Sequence, residues 1–372
     1  MGNQYSRCWN KGNPNLPLVI KRYPVIRIKV QQARVIPMKR DATTLREVAN
    51  WQWLCECAAR AAKGKRHRSS VQRYFGAFER NTINVQQALF NAQIPQQKYR
   101  SFTITDPKPR VIHAAPFADR VAHHAIIGRL SPRFERAQVD SSYACRPGKG
   151  VHAAILQARR IAIKSPWLLK MDVHSYFAQI DHQILQSLLT RLYKDPGLLA
   201  LLWNVIDSYS TEPGRGLPIG ALTSQYFANH YLDAVQRFLR VDTAAIDELR
   251  YMDDIWVGCA SKSAAVDITG QVNEWLQNRR NLALKPVMIQ RSSVGLPFCG
   301  FCISSRRLVP GKRRRRAVKN HYHKISADFQ SGLITESECQ SQICSTAALL
   351  KPGVHHTLAR KLVANSGINA LC

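Results

Sequence analysis

The spacing of apolar residues divides the chain into short helices and hairpins. Leu45, Val48, Trp51, Cys55, Ala58 and Ala62 fall at helical intervals. The spacing predicts a helix from Thr44 that ends at the basic loop Lys63-Gly64-Lys65-Arg66-His67-Arg68. A second helix is expected over about 82–92, closed by Pro95. Phe102 to Ile112 reads as two short strands around a Pro-rich turn carrying Lys108 and Arg110. Helical patterns follow from Pro116 and again after the loop 142–150. Trp167-Leu168-Leu169-Lys170-Met171-Asp172-Val173 then reads as a strand. Asp181 is placed to cap a helix to about Tyr193, and further helices are expected at about 197–209, from 222 to Leu239, and at 262–280. Leu249 to Gly258 is two apolar, β-prone runs flanking Asp253 and Asp254, as in a hairpin with both acids at its tight turn. A strand is expected to begin at Leu282-Ala283-Leu284-Lys285, a packed hairpin over 296–303, and a basic helix from Lys312. Helices with antiparallel hairpins make this an α+β chain.

Composition sharpens that picture in two ways. Apolar residues are 45% of the 372, enough for a substantial core, but Lys plus Arg number 54 against 24 acids, a net charge of +30. Such an excess points to a polyanionic partner, for which nucleic acid is the default. With so few acids, three in one constellation carry weight. Residues 1–44 hold nine Lys/Arg, one acid and several prolines, which suggests an extended basic arm able to meet RNA phosphates. The ten cysteines fall mostly in apolar runs, without a signal peptide or a membrane-length apolar stretch. They read as reduced, buried thiols of a cytoplasmic protein. Cys299-x-x-Cys302 with His321 and His323 could ligate zinc, but the pair sits in what reads as a packed hairpin.

The chemistry centres on Asp172, Asp253 and Asp254. Adjacent buried carboxylates repel one another, and divalent cations with oxygen preference relieve the conflict. One acid on a strand end and two on a hairpin turn can bracket two metal ions about 4 Å apart, the arrangement for in-line nucleotidyl transfer. The bland alternative for the pair alone is a solvated turn, where Asp is simply a good turn residue. Lys108 and Arg110, at a hairpin tip, are placed to clamp a triphosphate. The glycines of 142–152, with Arg146 and Lys149, would let the backbone approach phosphates closely; the spacing is not that of a P-loop. His123 and His124 read as helix-surface and packing residues.

Asp172-x-x-x-Tyr176-Phe177, Gly220-x-x-x-Ser224-Gln225 and Tyr251-Met252-Asp253-Asp254 together resemble the palm motifs of a reverse transcriptase, in the right order. The stretch 142–152, and Ile219-Gly220 followed by Ser224-Gln225, are similar to the enzymes of diversity-generating retroelements, a group II intron-like bacterial or phage class. Most retroviral and intron enzymes have Gln where Ile219 stands and lack Gln at position 225. The resemblance covers about residues 45 to 370. It implies a right-hand polymerase: a basic arm (1–44), fingers (45–165), a palm of antiparallel sheet backed by helices with a primer-grip hairpin (166–303), and a short helical thumb (304–372). No stretch is left over for an RNase H, endonuclease or maturase domain.

The resemblance further implies two Mg²⁺ ions, replaceable by Mn²⁺, on Asp172, Val173, Asp253 and Asp254. Phe177 is implied as a steric gate against the ribose 2′-hydroxyl. Ile219, Gly220, Ser224 and Gln225 would line the incoming dNTP, and Gly300 the primer end. Lys312, Arg313, Arg314, Arg315 and Arg316 would track the RNA/cDNA duplex, where each phosphate contact adds salt-dependent affinity. Lys285 falls three positions early for a motif D lysine, where Met288 stands. The family copies a template-repeat RNA with errors favoured at template adenines, for mutagenic homing, with a small oligomeric accessory variability protein. Two other readings fit the chain: a domesticated or defence-associated reverse transcriptase, and a catalytically dead RNA-binding scaffold of polymerase fold.

Overall fold

The computed structural model describes residues 39–105 and 109–351. The basic arm up to residue 38, Lys108, and the chain beyond 351 lie outside the described residues. The described residues from 40 onward group as one unit.

The first expected helix is two. Thr44 caps α1 (Leu45–Val48) in a reciprocal box with Glu47, and the Asn50 side chain then accepts from Trp53 N and restarts the chain as α2 (Trp51–Ala62). The basic loop leads into α3 (Ser69–Gly76), which the apolar spacing did not bring out, and α4 (Phe78–Phe90) begins four residues earlier than expected. β1 (Arg100–Ile104) and β2 (Arg110–Ala114) pair antiparallel, Ile104 opposite Arg110. α5 (Phe117–Ala137) is the long helix against which α2, α3 and α4 pack. Within α5, His123 is fully buried with neither ring nitrogen hydrogen-bonded, and burial lowers its pKa to about 4, so it packs as a neutral ring.

α6 (Val151–Lys164) leads to β3 (Trp167–Asp172), followed by α7 (Tyr176–Gln179), α8 (His182–Thr190) and α9 (Pro196–Asp207). Asp181 caps α8 as expected, accepting from Ile184 N at 3.0 Å. The segment expected to run unbroken to Leu239 is α10 (Leu222–Tyr231) and α11 (Asp233–Asp242), divided at Leu232. β4 (Asp247–Tyr251) and β5 (Asp254–Cys259) form the acidic hairpin, and α12 (Lys262–Arg280) follows at the expected bounds. The strand expected to begin at 282–285 starts later: Leu284 makes only an isolated bridge to Val173, and the ladder resumes beyond Pro286, which has no N–H to give, as β6 (Met288–Arg291).

These strands make a four-stranded antiparallel sheet in the order β4-β5-β3-β6. Both faces are covered, and the period of two sorts the side chains. Leu169, Met171, Ile255 and Val257 join the main core, while Leu168 and Trp256 face a second cluster with α6. That second cluster also takes Phe298, Phe301 and Ile303 from a small sheet of β7 (Leu296–Phe298), β8 (Phe301–Ile303) and β9 (Leu308–Pro310). α13 (Lys312–Gln330) and α14 (Glu336–Ala348) pair around their own small core of Val318, Tyr322, Ile325, Cys339 and Ile343. The architecture is α+β.

The cysteines correct one expectation. Cys57, Cys259 and Cys339 are buried thiols, but Cys55, Cys145, Cys299 and Cys302 are only half-buried and Cys344 is exposed. All are free, and among the described residues Cys299 and Cys302 belong to no metal-binding group. No helix of the described residues is long and apolar enough to cross a membrane.

Candidate active site

Sheet register brings the three aspartates together. Asp172, the last residue of β3, pairs directly with Asp254, the first residue of β5, and Tyr251 pairs with Asp254 across the hairpin. Met252 and Asp253 form the two-residue turn, Met252 taking the left-handed conformation at φ 56°. A bulky residue with positive φ is strained, so something must hold the turn. Arg250 does so. It is wholly buried, and its guanidinium donates to the Met252 carbonyl at 3.0 Å, Asn229 Oδ1 at 2.8 Å, Gln236 Oε1 at 2.9 Å and Ser142 Oγ at 3.1 Å. One buried fork thus ties the acidic turn to α10, α11 and the 142–150 loop.

The acids sit in a medium that disfavours their charge. Burial, and then Asp172 beside it, push Asp253 up to about 6. Burial also raises Asp254, against the pull of Lys170. The Lys170 ammonium lies 2.9 Å from the buried Asp254 Oδ1 and offsets its charge. Lys285 Nζ donates to Asp172 Oδ1, and its backbone N–H to the Asp172 carbonyl. Lys170 was missed from the sequence, although a lysine inside an otherwise apolar strand two residues before an acid was the available signal. Arg250, in the acidic hairpin, is equally unexpected for a fully buried position.

No three such donors among the described residues already converge as a metal cage. The donor chemistry nevertheless fits an oxygen-preferring divalent ion: two carboxylates on facing strand ends, a third on the adjoining turn, all in a setting where burial disfavours charge, and two ammonium groups now offsetting it. Asp172, Asp253 and Asp254, with the Val173 carbonyl, are the residues that would hold it.

A cleft of about 490 Å³ opens over the turn, lined by Asp253, Asp254, Lys170 and Met252 and, from other parts of the chain, by Arg110, Gly300 and Arg314. The structure therefore places Arg110 and Gly300 beside the acids. Ile219 lies at the base of the exposed hairpin, its carbonyl accepting from His113 N at 2.8 Å. Gly220 follows at φ 116°, where a Cβ would meet Ile112 at 3.0 Å and the His113 carbonyl at 3.3 Å, so this close turn requires glycine. Ser224 is buried in α10, and Gln225 accepts from Cys145 Sγ at 3.6 Å. Phe177 is half-buried against the main core and edge-on to Tyr176, with ring centroids 5.6 Å apart.

The expected phosphate-binding cations divide into two kinds. Arg146 is spent inside the chain, on Glu135 at 2.9 Å and the carbonyls of Val139 and Ser142. Lys149 pairs with Asp140 at 2.6 Å and lies over Tyr143. Arg314 stacks on Phe301 and donates to the carbonyls of Cys299 and Leu349. Those three brace their loops. Lys312, Arg313, Arg315 and Arg316 are exposed along α13.

Comparison with known proteins agrees with this geometry. Residues 98–301 match the family described as reverse transcriptase (RNA-dependent DNA polymerase). Protein YkfC of Escherichia coli is 25% identical over 143 residues, 36% of this chain and 38% of that protein. The group II intron-encoded protein LtrA of Lactococcus lactis is 25% identical over 138 residues, 36% of this chain and 23% of its own length. A nuclear intron maturase of Arabidopsis thaliana is 30% identical over 86 residues, 23% of this chain and 12% of that protein. The similarity thus spans well under half of each relative.

Proposed function

The chain belongs to the reverse transcriptase family, and from that premise we propose that it copies RNA into DNA at the cleft over Asp172, Asp253 and Asp254. The observation that carries the reading is the direct pairing of Asp172 with Asp254, with Asp253 at the adjoining turn and Arg110 across the same cleft. Bound divalent ions, Mg²⁺ or in its place Mn²⁺, would activate the attacking 3′-hydroxyl and neutralise the leaving pyrophosphate. The chain's own residues supply position. Arg110 meets triphosphate charge, and Ile219 and Gly220 set the floor beneath the sugar. Phe177 limits room at the 2′ position, and the hairpin at Gly300 holds the primer end. In this assignment residues 45–165 act as fingers, 166–303 as palm and 304–372 as thumb. The exposed cations of α13 follow the RNA/cDNA duplex.

The finer reading is a diversity-generating retroelement enzyme. It would act in the cytoplasm on a template-repeat RNA, with a small accessory variability protein and errors favoured at template adenines. Ile219 with Ser224-Gln225 supports it, because an aliphatic side chain at 219 offers the nascent pair no hydrogen bond. Likeness to intron-encoded proteins favours a second reading, a domesticated intron-type reverse transcriptase with another template. Primer extension on an RNA template, with products sequenced, tests both. Synthesis with mismatches concentrated at template adenines supports the first reading, uniform fidelity the second, and absence of synthesis overturns both.

A further inference from the structure

A groove of about 660 Å³ runs along α8 beside the last turns of α12 and shares no lining residue with the carboxylate cleft. Three arginines line it: Arg191, which closes α8, and Arg279 and Arg280 at the end of α12. Arg280 is only 8% exposed, and its Nε and Nη1 donate to the Tyr231 and Arg279 carbonyls, each at 2.7 Å. The guanidinium also lies 5.1 Å over the Trp275 ring and 5.6 Å over that of Tyr231. Rings and carbonyls orient it but carry no full negative charge. Among the described residues no carboxylate pairs with any of the three arginines. Burial, and then repulsion from Arg191 and Arg279, lower the pKa of Arg280. Glu274 lines a smaller neighbouring hollow and not this groove.

A buried charge is ordinarily paired, and here mutually repelling arginines converge without an acid. Around them stand Gln183, Ser187 and Asn278, which with Arg191 and Arg279 are exposed. None of these five side chains has a hydrogen-bond or ion-pair partner among the described residues. Forked guanidinium donors beside neutral amide and hydroxyl donors suit the several oxygens of a phosphate better than the two of a carboxylate. Gln183 and Arg191 lie eight positions apart, about 12 Å along the helix. One phosphate cannot span that length, whereas successive phosphates of a strand can. Half-buried Trp275 already stacks with Phe238 and carries Arg280, so the groove offers charge and polar donors rather than a platform for bases. We propose that this groove is a second nucleic-acid site, gripping the sugar–phosphate backbone of single-stranded RNA outside the catalytic cleft and without regard to sequence. It rests on the reading that the chain handles RNA, but not on the metal chemistry.

The test is hydrogen–deuterium exchange of the full chain with short unstructured RNAs of differing sequence, divalent metal being chelated. Peptides covering 183–191 and 275–280 should gain protection with each RNA. Arg191→Ala combined with Arg279→Ala, both at exposed positions, should remove that protection. The pair should also lower the log–log salt slope of RNA binding by about 1.4, two single-strand phosphate contacts. Absence of protection in the parent, or protection and slope unchanged in the double variant, would overturn the proposal. Equal protection by polyglutamate would overturn it in favour of an acidic protein segment, and protection by tripolyphosphate but not by RNA in favour of a free polyphosphate. Primer extension by the parent is read separately. Synthesis without protection of the groove overturns the second site alone, and protection without synthesis overturns the catalytic reading alone.

Discussion

Two antiparallel hairpins meet at the cleft, and they are built on opposite principles. β1–β2 is a free-standing pair, with every residue of β1 exposed and Arg110 near its tip. β4–β5 is part of a four-stranded sheet, its residues largely buried and its turn carrying the acids. The first is tied to the body at its base, by His113 to the Ile219 carbonyl and to Tyr209 Oη at 3.0 Å. The second is held from beneath by Arg250 and from the side by β3. On the proposed assignment the acids would hold metal in a fixed geometry, and the sheet supplies one. On the same assignment Arg110 would clamp an arriving substrate, a role that suits an exposed two-stranded ribbon, which is only marginally stable by itself.

Substitutions can break that contrast in graded steps. Asp253→Asn should have the largest effect, abolishing primer extension to below about one part in a thousand, since it removes a proposed metal ligand. It should also stabilise the metal-free protein. With its folded pKa at about 6 against 3.8 unfolded, Asp253 weakens the fold wherever it is ionised. That penalty is absent below pH 4, grows between pH 4 and 6, and is full at pH 7, where it amounts to at most about 3 kcal/mol. Thermal melts of the two proteins should therefore converge at pH 4 and separate at pH 7. Convergence at both would place the carboxylate in solvent.

Arg250→Ala should cost about 3–5 kcal/mol in denaturant unfolding, as removal of one member of a buried charged network does. An unchanged midpoint would mean the hairpin is held by the sheet alone. On the exposed hairpin, Arg110→Ala should leave the melt untouched and raise the KM for dNTP about 10- to 100-fold, the worth of one charge-assisted contact. A loss of stability instead would make β1–β2 structural. The smallest effect belongs at the base of the exposed hairpin: Ile219→Gln should reduce misincorporation opposite template adenine about tenfold, a change of 1.4 kcal/mol. Single-nucleotide kinetics on four templates would read it, and an equal change on all four would remove the link to adenine.

The elements legible from the chain alone were those whose signal is local. The apolar, β-prone runs of β3 and β5, the Asp181 cap and the bounds of α12 follow from side-chain type, helical period and capping chemistry, which near neighbours determine. The acidic triad was legible too, because acids are rare in so basic a chain and two of them interrupt a hydrophobic hairpin. The division of α1 from α2 and of α10 from α11 depended on where caps and packing interrupt a continuing helical pattern. Lys170 facing Asp254, Lys285 on Asp172, Arg250 beneath the turn, and the separation of inward-braced Arg314 from its exposed neighbours came only with the tertiary structure. Those pairings join residues far apart in the chain or set apart residues of one run. A charged side chain carries no mark of its partner until the sheet register and helix packing decide which charges share a desolvated space.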